Sequence, residues 1–240
     1  MVLSTLDFIA FGVFITSWIG YTNFSRIRAR NTPCLSMCLH QHRIHWMKQL
    51  LTHDIRVSDA ALLANLERNI AFFASTTLLV LAGLIALFSQ VAELHRIIAS
   101  FSFAMEPNDL AIQLKICLLA LIFVWAFFQF TWSMRQYNFV NVMVGATPVD
   151  SPNKHLIAYA REMATMQDQA GHAYNYGLRA YYFALAAFSW FVHPVIFILA
   201  SIIVVYILYR REFKSKAVQA IMSGQSLLEA YQQELEEKQE

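Results

Sequence analysis

From Ile70 to Val91 the chain carries no charged side chain. A helix rises about 1.5 Å per residue, so roughly 20 apolar residues cross the ~30 Å hydrocarbon core of a bilayer. Three more stretches have this character. Val2 to Phe24 is uncharged apart from Asp7, Ala111 to Met134 holds only Lys115, placed near one end to snorkel, and Tyr181 to Tyr209 is broken by His193-Pro194. The composition agrees: 58% hydrophobic and 14% charged, against about 45–50% and about 25% for a soluble domain. An ordinary soluble domain and a disordered chain are excluded. With 7 Gly and 5 Pro, a loop-rich β fold or a fibrous repeat is equally unsuitable. The expected fold class is all-α: a polytopic integral membrane protein with four main hydrophobic helices and helices that project into the cytoplasm.

The Lys/Arg distribution orients the spans. The first loop carries Arg26, Arg28, Arg30, Arg43, Lys48, Arg56 and Arg68, and the third carries Arg135, Lys154, Arg161 and Arg179. The second holds only Arg96, beside Glu93, Glu106 and Asp109. The expectation is a multi-pass protein of the bacterial inner membrane, with the N-terminus outside and the first and third loops cytoplasmic. The first apolar run has no positive leading region and no small-residue cleavage site, so it reads as a retained span rather than a signal peptide. Cys34 and Cys38 fall in a cytoplasmic loop, where thiols stay reduced. A net charge of +2, with no basic stripe interleaved with aromatics outside the membrane-flanking loops, predicts no nucleic-acid partner.

A single helix from Tyr181 to Tyr209 would be about 43 Å long. It would also leave Arg210, Arg211, Lys214 and Lys216 outside, against the charge rule. Proline disfavours helix in the residue before it and suits the first position of a new helix. The stretch is therefore expected to split at His193-Pro194 into a hairpin, with Trp190 at the outer boundary and Tyr206 and Tyr209 at the inner one. Its first arm, Tyr181 to Val192, spans only about 18 Å, which predicts a re-entrant hairpin or a locally thin bilayer.

The polar segments also read as helix. With Ser58 as N-cap, apolar positions recur at Leu62, Leu66, Ile70 and Phe73, so the second span projects into the cytoplasm. After Thr147-Pro148 and Ser151-Pro152, a stripe through Leu156, Ala160, Met163, Ala170, Tyr174 and Tyr181 runs into the fourth stretch. An amphipathic piece from Leu39 to Leu51, with Trp46, Met47 and Leu50, either lies on the membrane surface or packs on the projecting helices. Residues 1–217 read as one helical membrane domain and 218–240 as a polar C-terminal helix or tail.

Several strings carry a resemblance: HWMKQLL, RVSDAALLANLERNIAFFASTTLL, FQFTWSMRQYNF, NYGLRAYYFALAAFSWF and LYRREFKSKA. Together they resemble the integral membrane proteins of bacteria and plants grouped as domain-of-unknown-function family 599, from the first span to about Ala217. The stretch near His40 and the tail from Gln225 to Glu240 are not part of that likeness. The resemblance implies a helical inner-membrane protein and brings no accepted activity.

Arg26, Arg28, Arg68, Arg135 and Arg179 all fall at the expected cytoplasmic boundary, joined by Asn65, Glu67, Asn69, Gln136, Asn138 and Asn175. Planar guanidinium groups suit phosphate or carboxylate, and rings of arginine favour anions in pores. The commoner role is topology and contact with anionic lipid headgroups. Arg135 stands out, because Trp132 and Gln136 share its helix end and Glu67 is an available ionic partner. Cys34, Cys38, His40, His42 and His45 are weak metal candidates: the ligand types are right, but the tight Cys-x2-Cys spacing is missing and a helix from Ser36 scatters them. No metal or other cofactor is expected. His193, beside Pro194, is either a functional intramembrane group or a helix cap.

Small residues on the second span, Ala71-x3-Ser75 and Ala82-x3-Ala86 with Thr76 and Thr77, permit close helix packing or line a pore. The run Phe123, Trp125, Phe127, Phe128, Phe130 and Trp132 goes round more than one helix face and reads as lipid-facing and packing surface. No protease, hydrolase or phosphate-loop motif occurs, so no enzyme is expected. Two functions stay open. One is a homo-oligomeric, channel-like or solute-translocating protein with an Arg-rich cytoplasmic mouth. The other is a non-transporting scaffold or regulator that binds a protein partner through its cytoplasmic helices. In the tail, Leu228, Tyr231 and Leu235 are spaced for a seam between subunits.

Overall fold

The computed structural model describes residues 3–29, 32, 34–100, 108–149 and 153–237. Val2, Arg30, Glu106, Ser151-Pro152, the end of the tail and the side chain of Leu235 lie outside the described residues. The chain forms α1 (Thr5–Arg28), α2 (Leu35–Leu50), α3 (Val57–Phe88), α4 (Val91–Ala99), α5 (Asp109–Ala146), α6 (Lys154–Phe188), a 3-10 turn at Ser189–Phe191, α7 (Pro194–Phe213) and α8 (Lys216–Glu237). No strand occurs among the described residues. Four runs are long and apolar enough to cross a membrane: α1, α3, α5 and the run that begins with α7.

The end of α6 forms a fifth rod. Arg179 on α6 and Glu212 on α7 are 33 residues apart in sequence yet 2.8 Å apart in space. A continuous helix would separate them by roughly 50 Å. The chain therefore reverses between them, as the His193-Pro194 break predicts. His193 is extended, its Nδ1 accepts from the Val195 backbone N–H at 3.1 Å, and Pro194 opens α7. That makes His193 a helix cap. The first arm does not begin at Tyr181, because α6 runs unbroken from Lys154. The length expected for a short re-entrant arm thus does not limit it.

At one end of the bundle, Trp190 Nε1 donates to Asp7 Oδ1 at 2.7 Å and Lys115 Nζ donates to the Trp190 carbonyl at 2.9 Å. At the other end, the Tyr21 hydroxyl donates to Glu212 at 2.7 Å and Asn141 donates to Glu67 at 2.7 Å. It follows that α1, α5 and α7 run one way and α3 and α6 the other. Trp190 lies at the end of the bundle away from the Arg-rich face, buried in the turn and stacked on Phe197. One expectation is corrected here. Lys115 does not snorkel outward; it caps the carbonyl of the hairpin turn, where the ammonium gains an acceptor and the indole face.

The tightest seam joins α5 to α6. On α6 the buried side is built of small residues, Ala160, Ala164, Ala170, Ala173, Gly177, Ala180, Ala184 and Ala187. Small residues let helix backbones approach closely where lipid removes the usual hydrophobic drive. The Ser133 hydroxyl reaches across to the Ala170 carbonyl at 2.6 Å. By contrast, α3 meets α5 through Ile70, Ala74, Thr77 and Leu84. Its Ser75, Ala82 and Ala86 face away from the bundle, with Ala71 and Thr76 half-buried. The small-residue face of the second span is thus not the intramolecular seam.

Of the two placements open for the Leu39–Leu51 piece, packing on the projecting helices is the one found. Met47, Leu50 and Leu51 are buried, and α2 packs on α6 and α8. The α3 N-cap is Arg56, not Ser58. The Arg56 guanidinium instead donates to the carbonyls of Val144, Thr147 and Pro148, satisfying the C-terminal end of α5.

Candidate functional site

α1 leans on α7 while α5 leans on α3 and α6, so α1 and α5 straddle α6 without packing extensively on one another. The gap between them is a cleft of about 590 Å³, within the range of roughly 300–1,000 Å³ of small-molecule sites. Three stripes line it. From α1 come Trp18, Thr22, Asn23 and Arg26, and from α5 Trp125, Gln129, Trp132 and Gln136. From α6 come Gln169, His172, Tyr176 and Arg179. On α5 the stripe recurs every three or four residues, and on α1 Trp18, Thr22 and Arg26 recur every four, so each occupies one helix face.

The cleft has a polar end and an aromatic end. Arg26 and Gln136 lie toward the Arg-rich face of the protein, together with Gln169 and His172 from the N-terminal side of the α6 stripe. Trp18 and Trp125 lie deeper in the bundle. Above them Phe14, Phe183 and Phe197 are fully buried, with ring centroids 5.0 Å apart for Phe14–Phe197 and 5.7 Å for Phe14–Phe183. Trp18 stacks on Phe183 at 5.3 Å. This aromatic layer closes the inner end.

The two arginines on the wall differ. Arg179 is neutralised: its Nη2 donates to both Glu212 oxygens, at 2.9 and 2.8 Å. Arg26 is exposed to the cleft, and its Nη2 donates only to the Tyr176 hydroxyl, at 3.2 Å, among the described residues. Gln136 is 6% exposed, and its buried Oε1 has no hydrogen-bond partner among the described residues. Buried amides are normally satisfied, so this acceptor is a departure that calls for a reason.

A second cavity of about 490 Å³ shares Arg26, Gln169, His172, Tyr176 and Arg179 with the first. Its remaining wall includes Ser36, Met37 and His40 of α2, and Asp168 and Asn175 of α6. Asp168 is gripped by His40 and Arg43, which ties α2 across this opening. His172 stands where the two cavities meet. The surrounding protein holds its imidazole below the ordinary value by removing water, and Arg43 and Arg179 reinforce that against Asp168 and Glu212.

Of the residues singled out from sequence, Arg26, Arg179 and Gln136 meet in the first cleft, and Asn175 lines the second. Arg28 lies over the Phe24 ring at 5.8 Å, and Arg68, Asn65 and Asn138 are exposed. The expected Arg135–Glu67 pair is not formed. Arg135 is exposed over Phe139, while Glu67 accepts from Asn141. Asn141 lies about 120° round α5 from Arg135, so the two cannot both face α3. The Cys and His residues of α2 diverge. His42 contacts the Ile221 carbonyl at 3.0 Å, His45 contacts Gln232 at 3.1 Å, and Cys34 and Cys38 are buried. Among the described residues no cluster of three or more His, Cys, Asp or Glu is placed to hold a metal.

Sequence reasoning missed Trp18, Gln129, Gln169, His172 and Glu212. One signal was present: Trp125, Gln129, Trp132 and Gln136 put amides and indoles on a single face of an otherwise apolar span.

Fold and cleft together define a multi-pass helical membrane protein with a polar-to-aromatic cleft at one end of its bundle. The chain belongs to the family of proteins of unknown function DUF599, whose model matches residues 9–217. No curated protein and no solved structure matches it.

Proposed function

We propose that this membrane protein binds an anionic ligand in the α1–α5–α6 cleft and passes it toward the opposite face. In this reading it is a homo-oligomeric, channel-like or solute-translocating protein of the bacterial inner membrane, with its Arg-rich mouth in the cytoplasm and no enzymatic step. The observation that carries it is Arg26: a guanidinium facing a cleft, with a hydroxyl and no carboxylate as its partner among the described residues. The aromatic layer of Phe14, Phe183 and Phe197 then acts as the barrier to be opened. Oligomerisation would use the outward small-residue face of α3, Ser75, Ala82 and Ala86, whose packing needs are unmet within the chain. The test is uptake of radiolabelled phosphate and of a short alkyl phosphate into proteoliposomes. Arg26→Ala is expected to reduce uptake at least tenfold and Arg161→Ala to leave it unchanged. Equal loss in both, or uptake no faster than in protein-free vesicles, would sink the reading.

A second reading, a scaffold that binds a protein partner, is favoured by α8. This helix packs on α2, where His42 meets the Ile221 carbonyl and His45 meets Gln232, but presents Leu227, Leu228 and Tyr231 outward. Removal of residues 218–240 with unaltered ligand uptake and loss of a co-purifying protein would favour it.

A further inference from the structure

We infer that the ligand of the cleft is an amphiphile with an anionic phosphate head, which enters sideways from the bilayer: its head lies against Arg26 and its chain along Trp18, Trp125 and Trp132. This rests on the anion-binding reading above and narrows it to one chemical class.

Two features favour a chain attached to the anion. The cleft opens laterally, because α1 and α5 lack extensive mutual packing. Its rim is apolar on both sides of that opening: Trp125 and Trp132 are each 51% exposed, and Ile19 is exposed on α1. In a bilayer those surfaces face hydrocarbon. From Trp18 to Arg26 the α1 stripe rises about 12 Å, so a bound chain can lie along indole faces while its head reaches the guanidinium. A free inorganic anion would occupy the polar end and leave the indole-lined part to nothing in particular.

Two further features select the head. Arg26 offers a planar fork that suits phosphate oxygens. The Arg179–Glu212 pair adds no net charge, so the head meets a single uncompensated cation. Nearby, His172 provides a further polar contact.

The experiment uses the purified full chain in mild detergent micelles and a nitroxide-labelled alkyl phosphate, read by quenching of tryptophan fluorescence. Saturable quenching that decyl phosphate displaces, and that decyl phosphocholine and inorganic phosphate displace at least tenfold less well, is the expected result. Arg26→Gln should weaken binding about tenfold and erase the preference for decyl phosphate over decyl phosphocholine. Arg161→Gln, an exposed arginine away from the cleft, should change nothing. Inorganic phosphate competing as well as decyl phosphate would overturn the amphiphile inference and leave the anion-binding reading standing. Equal competition by decyl phosphocholine would overturn the assignment of an anionic head. The absence of saturable quenching, with no effect of inorganic phosphate on thermal stability, would overturn both.

Discussion

Arg179 Nη2 lies 2.9 and 2.8 Å from the two carboxylate oxygens of Glu212, locking the two arms of the α6–α7 hairpin together. The same guanidinium stands over the rings of Tyr21 and Tyr176, at 5.3 and 5.7 Å, and the Tyr21 hydroxyl donates to Glu212. Three helices thus meet at one charge pair, whose side chains are 12% and 19% exposed. Burying an ion pair is worthwhile only when further hydrogen bonds complete it, as Tyr21 does here.

Removing one member should therefore cost more than removing both. Arg179→Ala strands a mostly buried carboxylate, at about 3 kcal/mol, and Glu212→Ala strands the guanidinium. The double variant Arg179→Leu with Glu212→Leu is expected to recover much of that loss. Thermal unfolding in detergent micelles measures all three. Additive losses would mean that the pair is not coupled.

The α5–α6 seam gives a sharper steric expectation. A Cβ built on Gly177 would stand 2.5 Å from the Phe130 ring, whereas one on Gly83 meets nothing within 4 Å. Gly177→Ala should destabilise by about 1–3 kcal/mol, with partial relief from Phe130→Leu. Gly83→Ala should be neutral or slightly stabilising, because alanine is the better helix former. Identical unfolding midpoints for the two variants would contradict this packing.

At the hairpin turn, Asp7 closes a capping box with Ser4 and also accepts from the buried Trp190 indole. Asp7→Ala removes the carboxylate half of the capping box and orphans that N–H, at about 2 kcal/mol together. Asp7→Asn retains an acceptor and should cost less. If the two substitutions lower the midpoint equally, the Trp190 contact is not a source of stability.

His172 supplies a pH signature. Its imidazole is held below the ordinary value in the folded protein, chiefly by burial. The unfolded chain therefore takes up this proton first, and the site's contribution to stability is complete above about pH 6.5 and declines as pH falls. His45 shifts the same way, by burial first and then by Lys48 and His42. A single substitution separates the two. Between pH 7.5 and 5.5, His172→Gln should lose less stability than the parent chain, as read from midpoints at both values. A parallel loss would exclude the contribution of His172.

Sequence and structure agree where one rule acts alone. The apolar runs predict α1, α3, α5 and α7, and the His193-Pro194 break predicts the reversal, because span length, charge and proline geometry all point to one place. Agreement fails where the outcome depends on which neighbour a helix face meets. Ala82 and Ala86 carry as good a close-packing signal as Ala173 and Gly177, yet only the α6 residues are buried. Nothing local to α3 records that its partner reads the Ile70–Thr77–Leu84 side. Likewise Arg135 and Arg26 look alike as boundary cations. Arg26 becomes a site residue because α1 and α5 leave a gap above α6, a consequence of the whole bundle. Glu212 sits inside a basic string, RREFK, where its role as the anchor of Arg179 is invisible without the hairpin.

The orientation of the bundle has its own readout. With the start of α1 and the end of α7 at opposite ends of the bundle, a cysteine at Ser215, in a chain lacking Cys34, Cys38 and Cys117, should resist a membrane-impermeant maleimide on intact cells and react after permeabilisation. A cysteine at Ser89, at the other end of α3, should behave in the opposite way. Reaction of Ser215→Cys on intact cells would place the Arg-rich face outside.

The most direct measurement of the central claim is an electron cryo-microscopy map of the full chain in nanodiscs made from native membrane lipid. The account predicts elongated density in the cleft between α1 and α5, with its head within hydrogen-bond distance of the Arg26 guanidinium and its tail against Trp125 and Trp132. A cleft that stays empty, or one closed by direct packing of α1 on α5, would contradict it.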